Sequence, residues 1–309
     1  MGKNLREPAV AGMFYEAEPE RLKEMIKWTF LHKLGPGSLP KGEPGNSNTI
    51  IAAQVPHAGY IYSGPAAAHV YYALHQDTKP DTVIILGPNH TGLGLPVSVY
   101  AKGAWKTPLG VIEIDEEVAG FLLEHKGLDE DYLAHTQEHS IEVQLPFLQF
   151  VYGNSFKLVP IAMMDQSIDA AKRVAFAILD TLKQVDKRII VLASSDMTHY
   201  ESQKSAYRKD MKALDYIQAL DVEGLYEYAR SVDLSMCGIG PVAVVMFISK
   251  KVGASGMLLK YYTSGDITGD KAFVVGYAAV IFTKSLILRK RTTLAEKIEE
   301  RPEALTPAL

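Results

Sequence analysis

Residues 49–74 read TIIAAQVPHAGYIYSGPAAAHVYYAL. The stretch opens with a short run of apolar and β-branched residues, 49–55, which predicts a buried strand. A turn rich in proline and glycine follows, and residues 63–74 are then predicted to form a helix. A strand that passes directly into a helix is the unit from which parallel α/β sheets are built.

The same alternation continues along the chain. Similar apolar runs predict further strands at residues 82–86, 157–163, 188–193, 257–263 and 273–283. Helices are predicted around and between them at residues 19–33, 115–125, 141–151, 168–184 and 240–252. This order predicts an α/β fold with a mostly parallel, mixed central sheet and helices on both faces.

Domain organisation follows from the absence of a break in composition. The chain has 309 residues, of which 47% are hydrophobic and 22% charged, and these values are typical of a globular protein. We therefore expect a single α/β domain over residues 1–285. The remaining residues, 286–309, are charged and are predicted to form a tail that is helical or frayed.

Charge and hydropathy exclude several classes of partner. A formal net charge of −4 argues against a protein that binds a nucleic-acid backbone. The longest apolar runs, residues 241–248 and 273–282, are too short to span a membrane, and the amino terminus lacks the apolar core of a signal peptide. We expect a cytoplasmic protein with no nucleic-acid or membrane partner; its oligomeric state is not predicted. The single cysteine excludes an intramolecular disulfide and fits a reducing compartment.

Histidines follow three of the predicted strands at the point where each strand ends. His57 follows the first, His90 follows the second, and the segment SSDMTH after the fourth contains Asp196 and His199. One histidine at such a position is more often a capping or packing residue. In open α/β sheets, however, ligands bind at the carboxyl ends of the strands, so three histidines at one edge predict a functional site.

Cys237 lies in the segment SMCGIGP, immediately before a predicted apolar helix. A helix amino terminus stabilises a thiolate, which makes the sulfur a better metal ligand or nucleophile; the alternative is a buried small hydrophobe. Two imidazoles and one thiolate, from His57, His90 and Cys237, form a plausible ligand set for iron, copper or zinc. Asp196 and His199 have the chemistry of an acid/base pair in which the carboxylate orients the imidazole.

Three further residues are weaker candidates for the same site. Glu138 precedes a predicted helix, and a role at the helix start explains it. His139, beside it, can point into the cleft to support the ligands or bind an anion. Tyr60 can contact a ligand or pack in the core. No complete GxGxxG, Walker A, GxSxG or HExxH motif occurs, so nucleotide binding is not predicted.

Six motifs taken together resemble the Memo family: VPHAGYIYSGPAAAHVY, ILGPNHTG, WKTPLG, EHSIEVQLPFL, SSDMTHY and MCGIGPV. The resemblance implies an α/β fold like that of the class III extradiol dioxygenases, which are non-haem iron enzymes. It also implies that His57, His90 and Cys237 are metal ligands. Asp196 and His199 correspond to the remaining site residues, and His199 is similar to the acid/base histidine of the dioxygenases.

One departure from the dioxygenases leaves three functions open. Those enzymes use two histidines and a carboxylate, whereas this chain offers Cys237 at the third position. The first hypothesis is a redox enzyme that depends on iron or copper. The second is a non-catalytic module that binds a peptide or a small ligand in the same cleft. The third, ranked last, is metal-free thiol catalysis with Cys237 as nucleophile and His199 or His139 as base.

Overall fold

The computed structural model describes residues 4–284, so the predicted tail at 286–309 lies outside the described residues. The described strands are β1 (Leu5–Arg6), β2 (Ile50–Val55), β3 (Thr82–Pro88), β4 (Val97–Val99), β5 (Ala104–Thr107), β6 (Gly110–Glu113), β7 (Asp129–Glu130), β8 (Lys157–Met163), β9 (Ile189–Ser194), β10 (His199–Glu201), β11 (Ala254–Thr263) and β12 (Val274–Lys284). The α-helices are α1 (Pro19–Leu31), α2 (Tyr60–Asp77), α3 (Glu116–Leu123), α4 (Leu145–Tyr152), α5 (Ile168–Gln184), α6 (Gln203–Ala219), α7 (Val222–Val232), α8 (Ile239–Lys251) and α9 (Ser264–Thr268). Two short 3-10 helices span Leu133–His135 and Glu142–Gln144.

The central sheet is built around four parallel strands in the order β2, β9, β3, β8. Beyond β2 lies the antiparallel strand β12, which also pairs with β10 and β11; beyond β8 lie β4 and β7. Strands β1, β5 and β6 form a separate small sheet. The predicted α/β class with a mostly parallel, mixed central sheet is therefore confirmed.

Helices cover both faces of the sheet, as the continuous apolar runs of its central strands require. Alternate residues of β3 point in opposite directions. Val83 and Ile85 pack into the core with α1, α2 and α4, whereas Ile84 and Leu86 pack into the core with α3, α5, α6, α7 and α8. None of the helices within residues 4–284 has both the length and the apolar character needed to cross a membrane.

The register of the parallel strands sets the level at which they end. Val55 of β2 pairs with Ser194 of β9, and Leu86 of β3 pairs with Ala193 of the same strand. The segments that follow β2, β3 and β9 therefore leave the sheet side by side. Ligand sites of α/β proteins form at this edge.

Two helices differ from their predicted bounds. Helix α2 begins at Tyr60 rather than at residue 63, because the Tyr60 N–H donates to the Phe14 carbonyl at 2.8 Å. The helix predicted at 141–151 is divided into a 3-10 turn and α4, since Pro146 has no N–H to donate to the Glu142 carbonyl. Helices α6 and α7 were not predicted, nor were the short strands β4 to β7.

Gly87, near the end of β3, allows the close approach of the segment that carries Ser140. A Cβ atom on Gly87 would lie 2.3 Å from Ser140 Oγ and 2.9 Å from Ile141 Cγ1. Ser140 is buried, and its hydroxyl donates to the Pro88 carbonyl, so it cannot swing away freely. The end of β3 and the 138–141 segment are thus packed together without space for a side chain.

We predict that Gly87→Ala lowers the free energy of unfolding by about 1–3 kcal/mol, because the added methyl group overpacks this contact. Gly120→Ala is the matched control: nothing lies within 4 Å of a Cβ there, inside α3. That substitution should raise the free energy of unfolding by about 0.5–1 kcal/mol. Urea unfolding measures both. Equal stability of wild type and Gly87→Ala would contradict the packing described.

Candidate metal centre

Three histidines meet at the carboxyl edge of the sheet. One ring nitrogen from each of His57, His90 and His139 can be chosen so that all three atoms lie within 4.8 Å of one another. The ring of His90 stacks on that of His139 at a centroid distance of 4.7 Å, and the ring of His57 lies edge-on to both. His139, which the sequence offered only as a supporting residue, therefore belongs to the same group as the two predicted ligands.

The thiol of Cys237 contacts this group through His57. Its Sγ lies 3.2 Å from His57 Nε2 and accepts a hydrogen bond from the backbone N–H of Asp196 at 3.3 Å. Two ligand atoms on one tetrahedral metal ion lie about 3.3–3.6 Å apart. The observed 3.2 Å is just below that range, so a small outward movement of either side chain would fit a shared ion. Cys237 is not a member of the histidine group, however. Two residues, Cys237 and His139, are thus candidates for the third ligand beside His57 and His90.

The tautomer of His57 follows from its partner Ser194. The Ser194 hydroxyl donates to the Ser140 carbonyl at 2.6 Å, which uses its only proton. His57 Nδ1 lies 2.9 Å from the same hydroxyl oxygen and must therefore donate to it. Gln144 donates to that oxygen as well, at 2.8 Å, and holds it in place. The lone pair of His57 thus lies on Nε2, the nitrogen that faces Cys237.

Glu138 fixes His90 in the same manner. The Glu138 carboxylate accepts from His90 Nδ1 at 2.9 Å and from the His90 backbone N–H at 2.6 Å. The Ser140 N–H donates to it as well. Burial opposes the charge of Glu138, but these bonds and the nearby imidazoles lower its pKa to about 2. The carboxylate therefore stays ionised, and in the neutral form of His90 the proton lies on Nδ1 and the lone pair on Nε2, as in many metal sites.

The surroundings of His57 and His139 favour the neutral form of both imidazoles. Burial lowers the pKa of His57 well below its ordinary value, and the charges of His139, His90 and His199 lower it further. Burial also lowers the pKa of His139 to about 4, although Glu138 opposes the shift. Neutral imidazole is the form that binds metal ions.

The loop that carries Cys237 is held against the end of β9. A Cβ atom on Gly238 would lie 2.6 Å from the Ser194 carbonyl oxygen, so only glycine allows this approach. The Gly238 N–H donates to Ser195 Oγ at 3.0 Å. Gln166, which follows β8, donates to the Cys237 carbonyl and accepts from the first turn of α8. Gln166 is a site residue that no sequence motif indicated, whereas Gly238 lies within the MCGIGPV motif but had been given no role.

The sequence predicted that the helix terminus would stabilise the Cys237 thiolate. The surroundings of the sulfur in the structure do not favour the thiolate. Desolvation raises the pKa of this thiol, and the nearby Asp196 carboxylate raises it further. Burial therefore favours the neutral thiol, which has two acceptors within reach: His57 Nε2 at 3.2 Å and the Asp196 carbonyl oxygen at 3.7 Å. A neutral thiol is a poor nucleophile, which argues against metal-free thiol catalysis.

Asp196 and His199 lie at the same edge but have different partners from those expected. Asp196 Oδ1 accepts the backbone N–H of His57 at 2.8 Å, and so orders the segment of a candidate ligand. His199 Nδ1 donates to the Ser235 carbonyl at 2.8 Å. Among the described hydrogen bonds none joins Asp196 to His199, so the carbonyl of Ser235, rather than the carboxylate, orients this imidazole. Burial raises the pKa of Asp196 to about 6.

Tyr60 has the contacts of a core residue. Its hydroxyl donates to the Val143 carbonyl at 2.6 Å, and its ring packs against Tyr15 and Phe147. Its backbone N–H starts α2, directly after the His57 segment. Of the two roles open to Tyr60 from the sequence, these contacts favour packing.

Asp210, from α6, is a further residue that the sequence did not single out. It accepts from the backbone N–H and the hydroxyl of Thr198, and from the Tyr261 hydroxyl at 2.6 Å. Thr198 lies between Asp196 and His199, so Asp210 holds the segment that carries both. Burial raises the pKa of Asp210 to about 6, although its hydrogen bonds lower it.

We predict a pH-dependent difference in stability between wild type and Asp210→Asn. The folded pKa of Asp210 exceeds its ordinary value of 3.8, so its stabilising effect is complete below pH 3.8 and is lost as the pH rises through 6. The asparagine does not titrate. Between about pH 4 and pH 7, the free energy of unfolding of wild type should fall by roughly 2–3 kcal/mol relative to that of the variant. Urea unfolding across this range measures the difference, and a constant value would contradict the buried, proton-retaining carboxyl.

Comparison with known proteins shows which family the chain belongs to. The chain is 51% identical to a MEMO1 family protein of Methanopyrus kandleri over 281 residues, which cover 90% of this chain and 99% of that protein. It is 50% identical to a MEMO1 family protein of Sulfolobus acidocaldarius over 283 residues, which cover 90% of this chain and 99% of the relative. An uncharacterized protein of Escherichia coli K12, JW3007, has a solved structure similar to this one at a TM-score of 0.45 and 11% identity, covering 75% of this chain and 99% of that one.

The family model described as "Memo-like protein" matches residues 6–281, which include every residue of the candidate metal centre. The match spans all four parallel strands and the loop of Cys237. This chain belongs to the Memo-like family.

Proposed function

We propose that this protein binds one redox-active metal ion, iron or copper, at the histidine cluster and uses it in an oxidation–reduction reaction. The observation that carries the proposal is the 3.2 Å approach of Cys237 Sγ to His57 Nε2, the nitrogen that Ser194 leaves without a proton. A neutral imidazole and a thiol at this spacing fit two ligands of one ion.

The proposed ligands are Nε2 of His57, Nε2 of His90 and the sulfur of Cys237. His139 is the alternative third ligand, since it lies within the same group. Imidazole combined with thiolate suits iron, copper and zinc, of which zinc has no redox chemistry. A metal ion would displace the thiol proton, so binding should strengthen as the pH rises. A cytoplasmic location would keep the thiol reduced.

A bound iron or copper ion would supply one-electron exchange. The protein groups around it would handle protons. His199, whose Nδ1 donates to the Ser235 carbonyl, holds or releases a proton at Nε2. Burial raises the pKa of Asp196, whose Oδ1 accepts the His57 N–H, and we propose it as a second group that holds or releases a proton beside the centre. The predicted acid/base role would thus be shared by His199 and Asp196, which are held in place by different hydrogen-bond partners.

The substrate is proposed to be a small molecule that enters beside His90. The side chain of His90 is 34% exposed and that of His139 is 21% exposed. His57 and Glu138, by contrast, are buried. The centre is therefore open to solvent on one side and enclosed on the other. We propose this exposed side, which would correspond to a dioxygenase-like cleft, as the path by which the substrate reaches the ligand atoms.

We predict that protein purified without oxygen carries, or takes up tightly, about one equivalent of iron or copper per chain, since one such ligand group lies within residues 4–284. His57→Ala and Cys237→Ala should each weaken metal affinity by at least about tenfold, because each removes a proposed ligand. Elemental analysis and competition with a chelator measure both quantities.

His125→Ala is the matched control, because His125 contacts Asp180 and Phe176 rather than the cluster. It should leave the affinity unchanged. Absence of tight metal binding in wild type would overturn the proposal and favour a binding module that uses the cleft without metal. Exclusive binding of zinc would keep the metal site but contradict its redox role.

A further inference from the structure

We propose that Arg6 is a positioning residue of the metal centre: from the amino-terminal strand it holds the backbone that carries Glu138 and His139. This inference rests on the proposed metal site and adds a residue that lies far from it in sequence.

The Arg6 guanidinium spreads three hydrogen bonds over one short segment. Its Nε donates to the His135 carbonyl at 2.6 Å, and its Nη2 donates to the Glu138 carbonyl at 2.8 Å. Its Nη1 donates to the Glu142 carboxylate at 2.7 Å. The same group lies over the ring of Trp105 at 4.1 Å. A planar guanidinium can serve three diverging acceptors in this way, whereas the point charge of a lysine cannot.

Glu142 fastens the other side of this arrangement. Its buried carboxylate also accepts from the backbone N–H groups of Ala9 and Val10 and from the Tyr15 hydroxyl. The amino-terminal segment is therefore tied at several points to the 3-10 turn that precedes α4. Phe14, within this segment, places its ring 4.6 Å from that of His139, so the segment touches the histidine cluster directly.

The path from Arg6 to a candidate ligand has one intermediate residue. Arg6 holds the backbone carbonyl of Glu138, and the side chain of Glu138 accepts from both Nδ1 and the backbone N–H of His90. A shift of the Glu138 backbone would move the carboxylate that fixes the tautomer and the ring orientation of His90. Groups that orient a ligand in this way tune metal affinity without touching the metal.

Stability alone is a weak reason for this buried pair. A buried ion pair often contributes no more to stability than apolar residues of the same volume. Its hydrogen bonds to the carbonyls of His135 and Glu138, by contrast, hold the backbone at both ends of residues 135–138 in one position. The contacts of Arg6 are thus better explained by positioning of the site backbone than by stabilisation of the core.

The test compares Arg6→Gln and Arg6→Lys with Arg188→Gln. Arg188 pairs with the buried Asp77 at the opposite edge of the sheet, so its loss removes an ion pair away from the site. Co²⁺ alone is the probe, and its affinity is measured by absorption and chelator competition. Metal-free full-length protein is also examined by ¹⁵N–¹H NMR for the Nδ1–H of His90.

We expect both Arg6 variants to bind Co²⁺ about tenfold more weakly than wild type and to lose or shift the His90 Nδ1–H signal. Arg188→Gln should retain both properties despite a lower melting temperature. If Arg6→Gln fails to fold, Arg6→Lys, which keeps the charge beside Glu142, carries the comparison.

A folded Arg6 variant with wild-type Co²⁺ affinity and an unchanged His90 signal would overturn the inference and leave Arg6 a purely structural residue. If wild type itself binds no Co²⁺, the proposed function fails, and the metal-free NMR comparison still decides whether Arg6 positions His90.

Discussion

Hydrogen bonding among β2, β9 and β3 sets Val55 opposite Ser194 and Leu86 opposite Ala193, so that three parallel strands end at one level. The candidate residues that directly follow these three strands depend on this register. A shift by one residue would turn the apolar side chains of each strand to the opposite face, so burial on both faces holds the register firmly. The polar chemistry is thereby confined to the exits of the strands, where backbone groups are no longer used by the sheet.

The two proposed histidine ligands are oriented by hydrogen bonds on the side of each ring that faces away from the proposed metal. Ser194 and Glu138 accept the Nδ1 protons of His57 and His90, which leaves the Nε2 lone pairs toward the cluster. Each acceptor is in turn held by a second group, the Ser140 carbonyl for Ser194 and the Ser140 N–H for Glu138. Ser140 thus links the two histidines, and its close contact with β3 through Gly87 connects site geometry to core packing.

Sequence reasoning found the residues that strand ends place, namely His57, His90, Asp196 and His199, because apolar runs and strand exits are local signals. It did not find Arg6 or Asp210, since each acts across more than ten residues of chain on a backbone segment that no local pattern marks. The helix that contains Asp210, α6, is mostly polar at its surface, which hid it from a search for apolar runs. The prediction of a thiolate at Cys237 was wrong because desolvation and the charge of Asp196 raise the pKa of the thiol, which outweighs the effect of the helix terminus.

The central claim is that one metal ion is held jointly by imidazoles and by the sulfur of Cys237. X-ray absorption spectroscopy of the metal-loaded protein tests this claim most directly, because sulfur and nitrogen ligands scatter differently. We expect one sulfur neighbour of the metal together with at least two imidazoles, and loss of the sulfur signal in Cys237→Ser. A first shell of imidazole nitrogens without sulfur would contradict it and would assign the third position to His139.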